Sequence, residues 1–141
     1  MKVMGFNFTK VSGEIFSVGK NIKVDTEMDI RDVKEVDNAF LSTKEKLLEA
    51  KFSYRVNYEP NVAKIIIEGT VLLALSEKGS EDVLKEWKTK VLPEDFKLSL
   101  VNTVMRRCTL KALNLCEELN LPIHIPLPSL KGSDTDPKNK K

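Results

Sequence analysis

The chain has 141 residues, 41% hydrophobic and 31% charged, with 23 basic side chains against 21 acidic ones and a formal net charge of +2. That length suits one compact domain with a real core, and so even a balance supplies no basic face to attract nucleic acid or an anionic membrane. No apolar run approaches the length of a membrane span and no signal-peptide pattern opens the chain, so a cytoplasmic protein without membrane insertion is expected.

The opening GFNFTKV alternates, with Phe6 and Phe8 on one face and Asn7 and Thr9 on the other, as a half-buried strand does. Ser12-Gly13 then reads as a bulge or bend. NIKVDTEMDI, residues 21–30, alternates more strictly. It places Ile22, Val24, Thr26, Met28 and Ile30 inward and a ladder of charges outward, the pattern of an antiparallel strand with one solvated face. Residues 31–47 carry no clear period, and both a short helix and an irregular crossover fit them.

From Glu49 the alternation returns, with Phe52, Tyr54, Val56 and Tyr58 on one side. Glu59-Pro60-Asn61 supplies a turn, and VAKIIIEGTVLLAL, residues 62–75, is apolar enough on both sides to be a central strand. The two arms predict a hairpin. Gly69 inside the second arm marks a bulge or a close backbone approach. Glu68 beside it is the one carboxylate of the run, and a rim position suits it better than a catalytic one.

After Gly79, SEDVLKEWK reads as a short helix capped by Ser80, with Glu81 and Asp82 in its first turn. A longer helix is predicted over 95–120. Val101, Val104, Met105, Cys108, Ala112, Leu115, Cys116 and Leu119 recur at intervals of three and four, and Leu98, Leu100, Leu110 and Leu113 widen the apolar arc. The two cysteines fall on this stripe about 12 Å apart along the axis, beyond disulfide reach and suited to a core. Arg106 and Arg107 interrupt the stripe as a pair, read as solvated or subunit-bridging charge.

LNLPIHIPLPSL follows, residues 119–130. Leu121, Ile123, Ile125 and Leu127 share its apolar side, and Pro122, Pro126 and Pro128 remove the amide donors a central strand needs. It is an edge or groove-lying arm. KGSDTDPKNKK, residues 131–141, has the composition of a disordered polar tail, which leaves residues 1–130 as a single domain.

Catalytic chemistry has little foothold in these residues. The six glycines are scattered rather than gathered after a strand, the single histidine lies in the arm, and no ligand cluster or paired carboxylates stand at a useful spacing. The expectation is no enzyme, no cofactor and no metal. Large apolar arcs without such chemistry suit a binding or assembling protein.

Three blocks, FNFTKVSGEIF, FSYRVNYEPNVAKIIIEGTVLLAL and LVNTVMRRCTLKALNLCEELNLPIHIPLPSL, together resemble the SecB family of export chaperones, and more closely small archaeal SecB-like proteins. The resemblance covers about residues 4–130. It implies an α+β fold: a four-stranded antiparallel sheet with two C-terminal helices packed on one side. It also implies a homo-oligomer, a dimer or dimer of dimers, acting as a holdase for non-native polypeptides. Such a groove needs apolar and aromatic area with little directional chemistry. Phe6, Phe8, Phe52, Tyr54 and Tyr58 from the strands, and Leu121, Ile123, Ile125 and Leu127 from the arm, are the candidate polypeptide-binding surface; intramolecular core is the competing reading of the same residues.

Two departures bear on partners. Bacterial SecB is markedly acidic where it meets its export ATPase, whereas this chain is near neutral and ends in lysines, which puts a translocase partner in doubt. The helix that follows the arm in SecB has no counterpart beyond Leu130. A partner-specific scaffold or adaptor using the same surfaces is the alternative reading.

Overall fold

A computed structural model describes residues 1–36 and 44–125. The fold is α+β. Four strands, β1 (Lys2–Ile15), β2 (Lys23–Val36), β3 (Glu45–Glu59) and β4 (Ala63–Ser76), precede two helices, α1 (Glu77–Trp87) and α2 (Glu94–Leu119). The strands form one antiparallel sheet in the order β1-β4-β3-β2, which puts β1 and β2 at the two edges. The expected tail, residues 131–141, lies outside the described residues, as does Leu127.

The β3–β4 hairpin turns at the expected place, with Asn61 in the left-handed region at φ 51. The crossover, however, does not lie between the second and third strands, which are direct neighbours. Residues 16–22 make it instead, passing across one end of the sheet from edge to edge. The amides of Phe16 and Ser17 both donate to the Val62 carbonyl, at 2.7 and 3.2 Å, so this connection is tied to the hairpin turn.

Three further expectations are corrected. The strand read at 21–30 continues to Val36, into the stretch that fits either a short helix or an irregular crossover by sequence, because an irregularity between Ile30 and Asp32 shifts the alternation by one residue; residues 37–43 of that stretch lie outside the described residues. In β1 the phase breaks lie at Met4 and Thr9, while Ser12 and Gly13 stay in register opposite Ile66 and Ile65. Finally, α1 is capped by Ser76, whose hydroxyl accepts the Gly79 amide at 3.1 Å, and Ser80 is buried inside the helix.

One face of the sheet carries both helices. Phe52, Tyr54, Val56 and Tyr58 of β3 and Ile65, Ile67, Val71 and Leu73 of β4 lie in a single core with Val83 of α1 and the inner side of α2. The buried positions of α2 are Phe96, Leu100, Val104, Cys108, Ala112 and Cys116, spaced by four throughout. A row of that spacing is inclined by about 26° to the helix axis, so the contact line slants along α2. The flanking Val101, Met105 and Leu115 are half-buried, and Leu98 and Leu110 face solvent.

The other face is largely polar and charged, with Ile66 and Leu72 of β4 as half-buried apolar exceptions. Arg55 anchors it, donating to Asp29 at 2.8 Å and to Glu27 at 3.3 Å across to the edge strand. Glu68 lies on this face too, in register with Lys10 and Ser53. Arg55 and Glu68 are thus separated by the sheet from His124, and these three cannot line one enclosed polar pocket.

Candidate functional site

The site begins where α2 stops. Asn120 adopts a left-handed conformation, φ 54 and ψ 42, and the amides of Leu121 and Asn120 donate back to the carbonyls of Cys116 and Glu117. This paired closure is a common helix ending. It swings residues 121–125 back over β3 and lays Leu121 against the core.

Two tyrosines of β3 then hold the arm. The Tyr58 hydroxyl donates to the Pro122 carbonyl at 2.6 Å and lies 3.1 Å from Cys116 Sγ. The Tyr54 hydroxyl is 2.8 Å from His124 Nε2 and 3.2 Å from Thr109 Oγ1. One proton arrangement satisfies every group: Thr109 donates to Tyr54, Tyr54 donates to Nε2, and Nδ1–H points at Cys116 Sγ, 4.0 Å away. Cys116 then donates to Tyr58. Burial pushes both tyrosine hydroxyls above their ordinary acidity range, so they stay protonated and able to donate.

Burial also lowers the His124 pKa from its ordinary value, in keeping with the neutral ring this network uses. In the unfolded chain the ring takes its proton near pH 6.5, whereas the folded chain resists it until lower pH. His124 therefore adds stability above about pH 6.5 that is withdrawn as pH falls from there toward the lowered folded value. Melting temperatures from pH 7.5 to 5 should fall more steeply for the native protein than for His124→Gln, and parallel slopes would remove His124 from the arm's attachment.

Beside the arm the sheet carries a groove. Met28 of β2 is the register partner of Tyr54, and Ile30 that of Phe52. Both side chains are half-buried, whereas Val33 further along β2, next to the Asp32 that Trp87 of α1 reaches, is buried in the core. With Trp87 and Leu92 from the end of α1 and its following loop, and Val101 from α2, Met28 and Ile30 enclose an open groove of about 620 Å³. The Trp87 indole N–H points to Asp32 Oδ1 at 3.4 Å, and Lys90 Nζ lies 4.8 Å from its ring centre.

The expected site residues thus fall into separate groups. Phe52, Tyr54 and Tyr58 are at most 1% exposed and sit under α2 and the arm. In this conformation their side chains belong to the core, the competing reading of these residues, and are not exposed to a bound chain. Phe6 and Phe8 are half-buried at the β1 edge, where Phe6 stacks on Phe52 with ring centres 5.1 Å apart and carries the Arg107 guanidinium at 4.6 Å. Of the arm residues, Leu121 packs on the core, Ile125 is partly covered and Ile123 is 46% exposed.

Trp87, Met28, Ile30, Leu92 and Val101 complete the surface that the candidate residues left out. Each reads in sequence as an ordinary apolar position, and only the strand order brings them together. Cys108 is fully buried, its thiol pushed up to about 12 by desolvation, which makes it packing rather than a nucleophile. No group of three or more potential ligands suited to a metal occurs among the described residues. Nor is any described helix long and apolar enough to cross a membrane.

Among solved structures, the Mycobacterium tuberculosis SecB-like chaperone Rv1957, in complex with a ChAD peptide from the Rv1956 HigA1 antitoxin, is similar to this chain. The match covers 92% of this chain and 91% of that one, with 14% sequence identity and a TM-score of 0.49. No protein-family model and no curated protein matches the chain.

Proposed function

We propose that this protein is a non-enzymatic, SecB-like holdase that binds non-native polypeptides on its helix-bearing face. The observation that supports this reading is the open groove at the β2 edge, where Met28, Ile30, Trp87, Leu92 and Val101 form an apolar floor among charged residues, together with the partly exposed arm. The groove is open rather than enclosed, which leaves room for a chain lying along the sheet edge, and its apolar part recognises many sequences because it asks for few directional bonds. We place the protein in the cytoplasm as a homo-oligomer, a dimer or dimer of dimers, working without a cofactor.

The test is light scattering from a chemically unfolded client diluted into buffer. The protein at stoichiometric excess is expected to suppress the signal by more than half. Unchanged scattering together with one stoichiometric folded partner in a pull-down would instead assign the surface to a dedicated adaptor.

A further inference from the structure

We infer that the free edge of β2 adds a strand: it takes an extended peptide segment whose alternate apolar side chains enter the groove and whose apolar run is followed by acidic residues. This rests on the polypeptide-binding reading above and gives it a backbone register and a charge preference.

The first ground is the groove's position. Four consecutive residues of β2, Met28 to Arg31, line it. Successive side chains of a regular strand point to opposite faces, so a cavity touching Met28, Asp29 and Ile30, all in regular pairing, lies against the strand's edge. β3 is the only strand paired with β2 among the described residues, and the backbone groups on the other side of β2 are those an added strand would use. Pairing with β3 is also regular from Lys23 to Ile30. The β1 edge carries apolar side chains too, but it is interrupted twice within its length, at Met4 and Thr9, whereas β2 is interrupted once, at Arg31 where the groove ends; such irregularities blunt an edge.

The second ground is charge. Arg31, Lys90 and Lys97 all line the groove, and its one carboxylate, Asp29, is engaged by Arg55 at 2.8 Å. Lys90 and Lys97 lie on the helix side of the groove, whereas Arg31 also borders the opposite-face cleft beside Lys51 and Glu68, and Asp32 stands at the groove's margin against Trp87; the excess of lysine favours an acidic segment and makes the contact sensitive to salt. Along the solvated face the order reverses. Asp25, Glu27 and Asp29 project there in register with Asn57, Arg55 and Ser53, so the added strand's outward residues should be neutral.

Trp87 is the only tryptophan of the chain, so its emission reports on the groove. The probe is an eight-residue peptide, acetylated and amidated, with threonine and valine alternating over six positions and two glutamates at the end. It should shift the Trp87 emission saturably, and the same peptide ending in two lysines should bind at least tenfold more weakly. Lys97→Glu should reverse that preference.

Methylating the peptide's backbone nitrogens separates strand addition from side-chain docking, because alternate amides point to opposite edges. Methylation of one alternate set should weaken binding at least tenfold and methylation of the other should not. Equal effects of the two sets, or equal affinity for the lysine peptide, would overturn the inference while leaving client protection intact. Loss of both peptide binding and client protection would instead remove the underlying function. If removing residues 126–141 alone changes the emission as the peptide does, the groove belongs to the chain's own segment and the inference also fails.

Discussion

Gly69→Ala is expected to cost about 3 kcal/mol of stability, near the upper end for overpacking a dense interior. The residue sits in the middle of β4, opposite Phe8 on one side and Phe52 on the other. A Cβ there would run into the Asn7 carbonyl oxygen and the Phe52 ring. The first obstacle is backbone and the second is locked under α2, so neither can turn aside. In urea, with a slope of about 1–3 kcal/mol per molar, the unfolding midpoint should drop by about 1–3 M.

Two other glycines of the sheet supply the comparison. A Cβ on Gly5 would meet Leu72 at an ordinary 3.5 Å, and one on Gly13 would press only on the end of the flexible Leu119 side chain. Gly5→Ala should therefore be nearly neutral and Gly13→Ala intermediate. A midpoint for Gly69→Ala within experimental error of that for Gly5→Ala would show that β1 can move away from β4 without loss.

The largest functional effect is expected from the double substitution Ile123→Asp, Ile125→Asp. Ile123 is half-exposed and Ile125 only partly covered, while the arm's attachment rests on Leu121, the Pro122 carbonyl and His124. The fold should therefore survive, with the helical circular dichroism signal unchanged. Each isoleucine buried by a client contributes about 1.5–3 kcal/mol, so losing two should weaken client binding at least tenfold, read as the protein concentration needed to halve client scattering. Should the double variant melt early instead, the arm is part of the core and binds nothing.

The legible parts of this fold were those with an unbroken period. The β3–β4 hairpin and the long helix follow from spacing alone, and Gly69 announced a close approach; the arm departs from its alternation, with Ile123 exposed and His124 turned to Tyr54. What escaped was wherever one extra residue entered. The irregularity at Arg31 separates Ile30 from Val33 by three, which erases alternation and made the second half of β2 look like an unassigned stretch. Gly79-Ser80 imitated a helix start because the true cap, Ser76, ends a strand and no turn residues intervene.

The site was half legible for a different reason. Parity placed Phe52, Tyr54 and Tyr58 on one face, but parity does not say what covers a face, and here α2 and the arm cover it completely. Trp87 and Met28 lie far apart in sequence. They meet because β2 takes the edge beside β3 while β1 crosses to the far side, an arrangement that no local pattern encodes.

The seven-residue connection across the sheet end also sets an order of assembly. The β3–β4 ladder closes through a tight turn, whereas β1 reaches β4 only by closing a loop of roughly fifty residues or more, at a correspondingly higher entropic cost. Its first anchor is the pair of amides at 16 and 17 on the Val62 carbonyl, which exists only once the hairpin has formed. β1 is therefore expected to be the last strand to join and the first to peel away, leaving a three-stranded sheet with β4 unpaired along one side.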